Sequence, residues 1–261
     1  MRAQSSAGTP FDFAPDSPLV ARVLPSPNHG ERIGVCAPDM LLLHYTGMAS
    51  TSEAVEWLRS PERGVSAHYV VFEDGDIAQL VPEARRAWHA GASFWAGETD
   101  INSRSIGIEI ANPGHDHGYP DFPPIQIEAV TTLCQDILSR RSIPTDRVLA
   151  HSDVAPMRKA DPGEKFPWDV LHRSGVGHLV PPIPRSDGRF FMRGEHGQPV
   201  EALQAMLTLY GYEVPLSGSY CERTEAVVRA FQRHFRPECV DGIADVSTLQ
   251  TLYNLCAARS A

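Results

Sequence analysis

The sequence predicts an α/β domain, a mixed central sheet flanked by helices, followed by a small all-α domain of three helices. Three observations lead there. Short apolar runs alternate with a helically spaced segment before residue 182. One pair of runs flanks a tight polar turn, as a hairpin does. After a proline-rich stretch the pattern becomes helical only. We therefore divide the chain into an α/β domain at 1–182, a proline-rich linker at 183–191 and a helical domain at 192–261.

The elements follow in order. "DMLLLHY" is a short apolar run ending in a histidine and reads as a buried strand. "SAHYVVFEDGDIAQLV" reads as two strands around a Glu-Asp-Gly-Asp turn. "SIGIEIAN" places Ile106, Ile108 and Ile110 on one face, and Ser105, Gly107, Glu109 and Ala111 on the other. "PIQIEAVTTLCQDILSRRSIP" repeats its apolar residues at helical spacing and stops before Pro144. "RVLAH" is the last strand. The stretch "HLVPPIPRSDGRF" suits a stiff, extended connection. Beyond it, "QPVEALQAMLTLYGY" is an amphipathic helix stopped by Gly211. "RTEAVVRAFQRHF" and "DVSTLQTLYNLC" complete a module near the lower size limit for independent stability. No internal repeat is evident.

Composition narrows the function classes. A net charge of −9 argues against nucleic acid as a partner, because phosphate binding relies on clustered Lys and Arg. No apolar run approaches the ~20 residues that span a bilayer. The opening "MRAQSSAGTPFDFAPDSPLVARVL" lacks the continuous apolar core of a secretory leader. The five cysteines are scattered, without CxxC spacing, and read as reduced, mostly buried residues; a Cys221–Cys239 pair is the alternative if the protein is exported.

The chemistry concentrates at strand ends. His44 ends one strand and His151 follows another, and strand ends of open α/β sheets are where ligand sites collect. Asp161 lies on a loop held by Pro156 and Pro162. Two imidazoles and a carboxylate make a three-ligand zinc set with the fourth position open, as catalytic zinc requires. Spacing alone leaves the alternative open, since distant histidines are more often core or surface residues. Glu109, among very small neighbours, suits a general base lining a cleft or equally a solvated strand edge. Lys159, two residues from Asp161, is placed to stabilise an oxyanion or simply to be solvated.

Taken together, "LLLHYTG", "SAHYVV", "AWHAG", "SIGIEIAN" and "AHSDVAPMRKADPG" resemble the zinc-dependent N-acetylmuramoyl-L-alanine amidases of the amidase-2 family, in order along the chain. The C-terminal region resembles the three-helix peptidoglycan-binding module fused to cell-wall hydrolases. It departs from that pattern at "RPECVDG". The resemblance implies that His44, His151 and Asp161 hold Zn2+, that Glu109 activates the attacking water, and that Lys159 stabilises the tetrahedral intermediate. It implies a peptidoglycan or muropeptide substrate, cut between N-acetylmuramic acid, or its anhydro form, and the first L-alanine. Tyr45, His68, Trp88, His89 and Asn112 lie in the matching motifs and are expected at the substrate, with packing roles as the alternative for Tyr45, Trp88 and His68. The "HDH" at 115–117 reads as surface or cleft rim. A non-catalytic muropeptide-recognition protein is the competing class. Absence of a leader favours the cytoplasm, whereas the wall-binding module points to the periplasm.

Overall fold

The structure is a computed structural model and describes residues 13–259; residues 1–12, which open the segment read above for a leader, and the last two lie outside it. Among the described residues eight strands form: β1 Arg22–Val23, β2 His29–Gly30, β3 Met40–Tyr45, β4 Tyr69–Val71, β5 Ile77–Gln79, β6 Arg86–Ala87, β7 Ser105–Ile110 and β8 Val148–Ala150. The helices are α1 Thr51–Arg59, α2 Ile101–Arg104, α3 Pro124–Arg140, α4 His151–Val154, α5 Trp168–Arg173, α6 Gln198–Tyr210, α7 Glu222–Phe235 and α8 Val246–Arg259.

Six strands make one sheet in the order β1-β5-β4-β7-β3-β8, and β2 pairs antiparallel with β6 apart from it. Only the hairpin pair β4–β5 is antiparallel within the six; β4, β7, β3 and β8 run parallel. This explains why Met40 to Leu43 are all apolar. A parallel strand covered on both faces buries every side chain, and these four are fully inaccessible. Leu41 and Leu43 join Ile106, Ile108 and Ile110 under α3, while Met40 and Leu42 face a second core on the other side. The predicted isoleucine face of β7 is therefore the α3 side.

The register places the chemistry. His44 pairs with Glu109 across β3–β7, and Leu43 pairs with Ala150 across β3–β8. Parallel neighbours end on the same side, so His44, Glu109 and the residue after Ala150 emerge together at the carboxyl edge of the sheet. That residue is His151, which opens α4 rather than closing a strand.

In the helical domain α6 and α7 use one device twice. Buried Gln204 on α6 accepts from Ser217 N–H (3.0 Å) and Gly218 N–H (2.9 Å) and donates to Ser219 O (2.9 Å). Buried Gln232 on α7 accepts from Asp241 N–H (3.1 Å) and Gly242 N–H (2.8 Å) and donates to Ile243 O (2.9 Å). Each glutamine completes a loop that has no ladder of its own. The sequence expectation of no internal repeat is corrected to this extent: the motif recurs, on one Leu-Gln and one Phe-Gln.

The two regions share a core. Trp95 is buried with its ring centroid 4.9 Å from that of Tyr212, and Ala96 N–H donates to Gly211 O (2.8 Å). A Cβ on Gly211 would sit 2.6 Å from the Trp95 ring, so glycine serves both the helix stop and this approach. The connecting stretch is not a free spacer: Leu179 and Val180 pack on the shared core, and Ile183 bonds both Thr251 and Ser247. None of the five cysteines forms a disulfide; Cys134 is buried, Cys221, Cys239 and Cys256 are partly exposed and Cys36 is exposed, so the expectation of mostly buried thiols is corrected. Cys221 and Cys239 are not joined, so the alternative Cys221–Cys239 pairing does not form. Among the described residues, no helix is long and apolar enough to cross a membrane.

Candidate active site

Three donor atoms converge at the carboxyl edge of the sheet. His44 Nδ1 lies 2.9 Å from His151 Nδ1 and 3.1 Å from Asp161 Oδ2; His151 Nδ1 lies 3.0 Å from the same oxygen. All three residues are buried.

Their outer bonds fix which nitrogen points inward. Ser105 Oγ donates to Ile101 O (2.6 Å) and so accepts from His89 Nε2 (3.3 Å). His89 Nδ1 is then the acceptor for His44 Nε2–H (3.0 Å), which leaves a lone pair on His44 Nδ1. On the other side His151 Nε2–H donates to Ala90 O (3.1 Å), leaving a lone pair on His151 Nδ1. Two imidazole lone pairs facing a carboxylate at this spacing repel one another. A divalent cation satisfies all three at once, and a hydrogen-bond partner on the far nitrogen of each histidine, His89 for His44 and Ala90 O for His151, is the arrangement that orients zinc ligands. The donor set fits the ion.

The electrostatics agree. Burial, with His151 next to it, pushes the His44 imidazole down to about 4, so it stays neutral and ligating at neutral pH. Burial alone would raise Asp161, but the two imidazoles outweigh it and hold the carboxyl well below its usual range.

Glu109 is held differently. Its Oε2 is enclosed and has no hydrogen-bond partner. Burial foremost, then the Asp161 charge, pushes its carboxyl well above the ordinary value, with Lys159 partly opposing. A carboxylate in this state has high proton affinity and nothing structural to do.

These groups line a cleft of about 550 Å³. His44, His151, Asp161, Glu109 and Lys159 lie in its wall with Tyr45, Trp88 and His89. His115 of the "HDH" stretch is also there, its Nδ1 3.0 Å from Tyr45 Oη. His89 is as much a brace as a lining residue, since it packs across Gly107: a Cβ there would come within 2.5 Å of the His89 ring. The small residues of the Glu109 face of β7 thus make room for that imidazole.

Two expected substrate contacts lie elsewhere. His68 is fully buried; its Nδ1 accepts from Gly107 N–H (2.9 Å), its Nε2–H donates to Arg85 O (3.0 Å), and burial beside Arg32 pushes it down to about 3. Asn112 spends its amide on Pro120 O (2.9 Å) and Gly114 N–H (2.9 Å). Neither lines the cleft. Both make their hydrogen bonds within the protein, as the packing alternative for His68 expects.

Sequence reasoning missed Trp57 and Arg158, which also line the cleft. Trp57 sits on α1, whose signals were the Ser50 cap over Glu53 N–H and the Ala54, Val55, Leu58 spacing. Arg158 donates to Ala90 O and Ala92 O, steadying the strand-to-loop segment that also receives His151.

A buried two-histidine, one-carboxylate cluster beside a proton-avid glutamate is the donor set that metal-assisted hydrolases of the open α/β type use. Residues 35–164 match the family described as N-acetylmuramoyl-L-alanine amidase, and residues 196–252 match the putative peptidoglycan binding domain. The chain is 39% identical over 223 residues to N-acetylmuramoyl-L-alanine amidase AmiD of Escherichia coli, covering 80% of this chain and 79% of that protein. It is 31% identical over 169 residues to 1,6-anhydro-N-acetylmuramyl-L-alanine amidase AmpD of Enterobacter cloacae, covering 58% of this chain and 88% of AmpD. AmiD in complex with the substrate anhydro-N-acetylmuramic acid-L-Ala-D-γ-Glu-L-Lys superposes with a TM-score of 0.72 at 33% identity, covering 88% of this chain and 98% of AmiD. AmpDh3 of Pseudomonas aeruginosa superposes with a TM-score of 0.71 at 29% identity over the full length of both. The chain belongs to the N-acetylmuramoyl-L-alanine amidase family and carries a peptidoglycan-binding domain.

Proposed function

We propose that this amidase is zinc-dependent and cleaves the amide between the lactyl group of N-acetylmuramic acid, or its anhydro form, and the first L-alanine of the stem peptide. The observation that carries the metal reading is the triangle of His44 Nδ1, His151 Nδ1 and Asp161 Oδ2, each edge at 2.9 to 3.1 Å, with both imidazoles fixed in the ligating tautomer. When bound there, zinc supplies Lewis acidity and lowers the pKa of water to about 7.

The chain's own residues do the rest. Glu109 takes the proton of the attacking water on its unpartnered Oε2 and passes it to the alanine nitrogen as the C–N bond breaks. Lys159 places a positive charge in the cleft wall, where negative charge grows on the carbonyl oxygen. Tyr45 and Trp88 offer aromatic surface to the muropeptide in the same cleft.

The test is mass spectrometry of purified sacculi and of soluble anhydro-muropeptides after incubation with the protein, with chelation and zinc re-addition. Free stem peptides that vanish on chelation and return with zinc are expected. Intact substrate under every condition, with protein bound to sacculi, leaves a recognition protein. Preference between the two substrates also bears on the compartment: soluble fragments favour the cytoplasm, polymer the periplasm.

A further inference from the structure

We propose that Tyr212 and His234, both in the peptidoglycan-binding domain, are positioning residues for the metal site: they hold Asp153, and through it the short helix that presents His151 and tethers Asp161. The proposal rests on the zinc reading above and adds to it a role for a region whose matched description is wall binding alone.

Asp153 is 1% exposed and lies two residues beyond His151. Three donors from three different places meet its carboxylate. Tyr212 Oη donates to Oδ1 (2.6 Å), His234 Nδ1 donates to Oδ2 (2.7 Å), and Ala150 N–H donates to Oδ2 (2.8 Å). Tyr212 is fully buried and His234 nearly so, the latter stacked between Trp168 at 3.7 Å and Phe235 at 3.9 Å. Buried, short and charge-assisted bonds of this kind are the strong ones, and they restrain both partners.

What they restrain is α4. It has only four residues, one turn, too short to hold a position by itself. Its first residue is the ligand His151, and its Ser152 N–H donates to Asp161 O (3.0 Å), fixing the second ligand's backbone. Two of the three donors therefore depend on one helical turn. That turn is fastened at Asp153 partly by the β8 end, through Ala150, and partly by the other domain. His44 stands apart from this arrangement, being set by the sheet register and by His89. Removing the two distant donors leaves α4 and the triangle free to open without touching any ligand.

The experiment compares zinc dissociation constants of the full-length protein by competition with a chelating dye, alongside thermal unfolding of the metal-free chain. Outer-shell partners of zinc ligands typically account for ~10–100-fold in affinity, and for this more remote pair the expected loss in Y212F/H234L is on the order of tenfold. His234→Asn, whose amide nitrogen can take the place of Nδ1, is expected to bind zinc nearly as the wild type does. Arg259→Ala, which breaks the Arg259–Asp146 ion pair between the same two regions at 2.7 Å, is expected to leave zinc affinity unchanged. Should the double variant fail to fold, Y212F alone carries the test, because it deletes one hydroxyl and no packing volume. Unchanged affinity in folded Y212F/H234L overturns the proposal. Equal weakening in Arg259→Ala does so too, since it would trace the effect to general docking. A wild-type chain that takes up no zinc sinks the metal reading and this proposal together, whereas wild-type binding with unaltered variants sinks this one alone.

Discussion

Two inward-held carboxylates in this protein have opposite fates. Glu83 is fully buried at the amino ends of β4 and β7, and both its oxygens are occupied. Arg140 donates to each at 2.9 Å, Arg141 adds a bond at 2.9 Å, and Tyr69 Oη donates at 2.8 Å. Burial acts to raise its pKa, but these donors outweigh burial and bring it below the ordinary value. Glu109, at the carboxyl ends, has an enclosed Oε2 with no partner and is pushed the other way. The same side chain is a rivet where its bonding is complete and a proton carrier where it is not. What separates them is whether the carboxylate oxygens find donors.

Several substitutions break or sharpen that contrast. The largest expected effect is on catalysis: Glu109→Gln keeps the shape but removes the proton acceptor and should lower kcat by ~10²–10⁴-fold with zinc still bound. Stem-peptide release by the zinc-loaded variant measures it, and turnover within threefold of wild type removes Glu109 from the reaction. Glu83→Gln should do the opposite, costing about 3 kcal/mol of stability, the low end for breaking a buried ion pair because both arginines are partly exposed. Chemical denaturation reads the loss, while kcat of the surviving folded enzyme should hold. Gly107→Ala should cost about 1–3 kcal/mol, since the new methyl would meet the His89 ring and something must shift. Its zinc affinity should fall as well, because His89 braces His44, and a chelator titration separates that from stability.

The smallest effect concerns pH in the metal-free chain. The folded-state pKa of Glu109 is raised, so folding is favoured while the group is protonated and loses that benefit as pH climbs through the folded value. Glutamine never ionises. Metal-free Glu109→Gln should therefore unfold at a higher temperature than wild type at neutral pH, with the gap closing near pH 4. Thermal melts across that range decide the sign, and a variant less stable at neutral pH contradicts the unpartnered reading.

The sequence reveals some of this and hides the rest for identifiable reasons. β3, β7 and β8 are legible because a strand covered on both faces must be apolar along its length, and the interruptions, His44 and Glu109, then stand out. Their pairing is not legible, since register between parallel strands depends on crossovers that leave no local pattern. The two-residue strands β1, β2 and β6 carry too few residues for any period to show. His68 and Asn112 illustrate a different limit. They sit inside motifs that surround the cleft, and only the hydrogen bonds of the folded chain tell a residue that shapes the wall from one that lines it. The Asp153 carboxylate is hidden for a third reason: its two side-chain partners lie 59 and 81 positions away.

The opposition of His44 and Glu109 across β3 and β7 carries a consequence for how such an enzyme can change. Neighbouring strands stand about 4.8 Å apart whatever their sequences, so the spacing of ligand and base is set by backbone geometry. It cannot be adjusted in small steps, because slipping a strand by one residue turns the side chain to the other face. The cleft walls, built from α1 and the loops after β3, β7 and α4, are under no such restriction. New substrates can be accommodated by rewriting those walls while the reacting groups keep a distance that the sheet itself measures out.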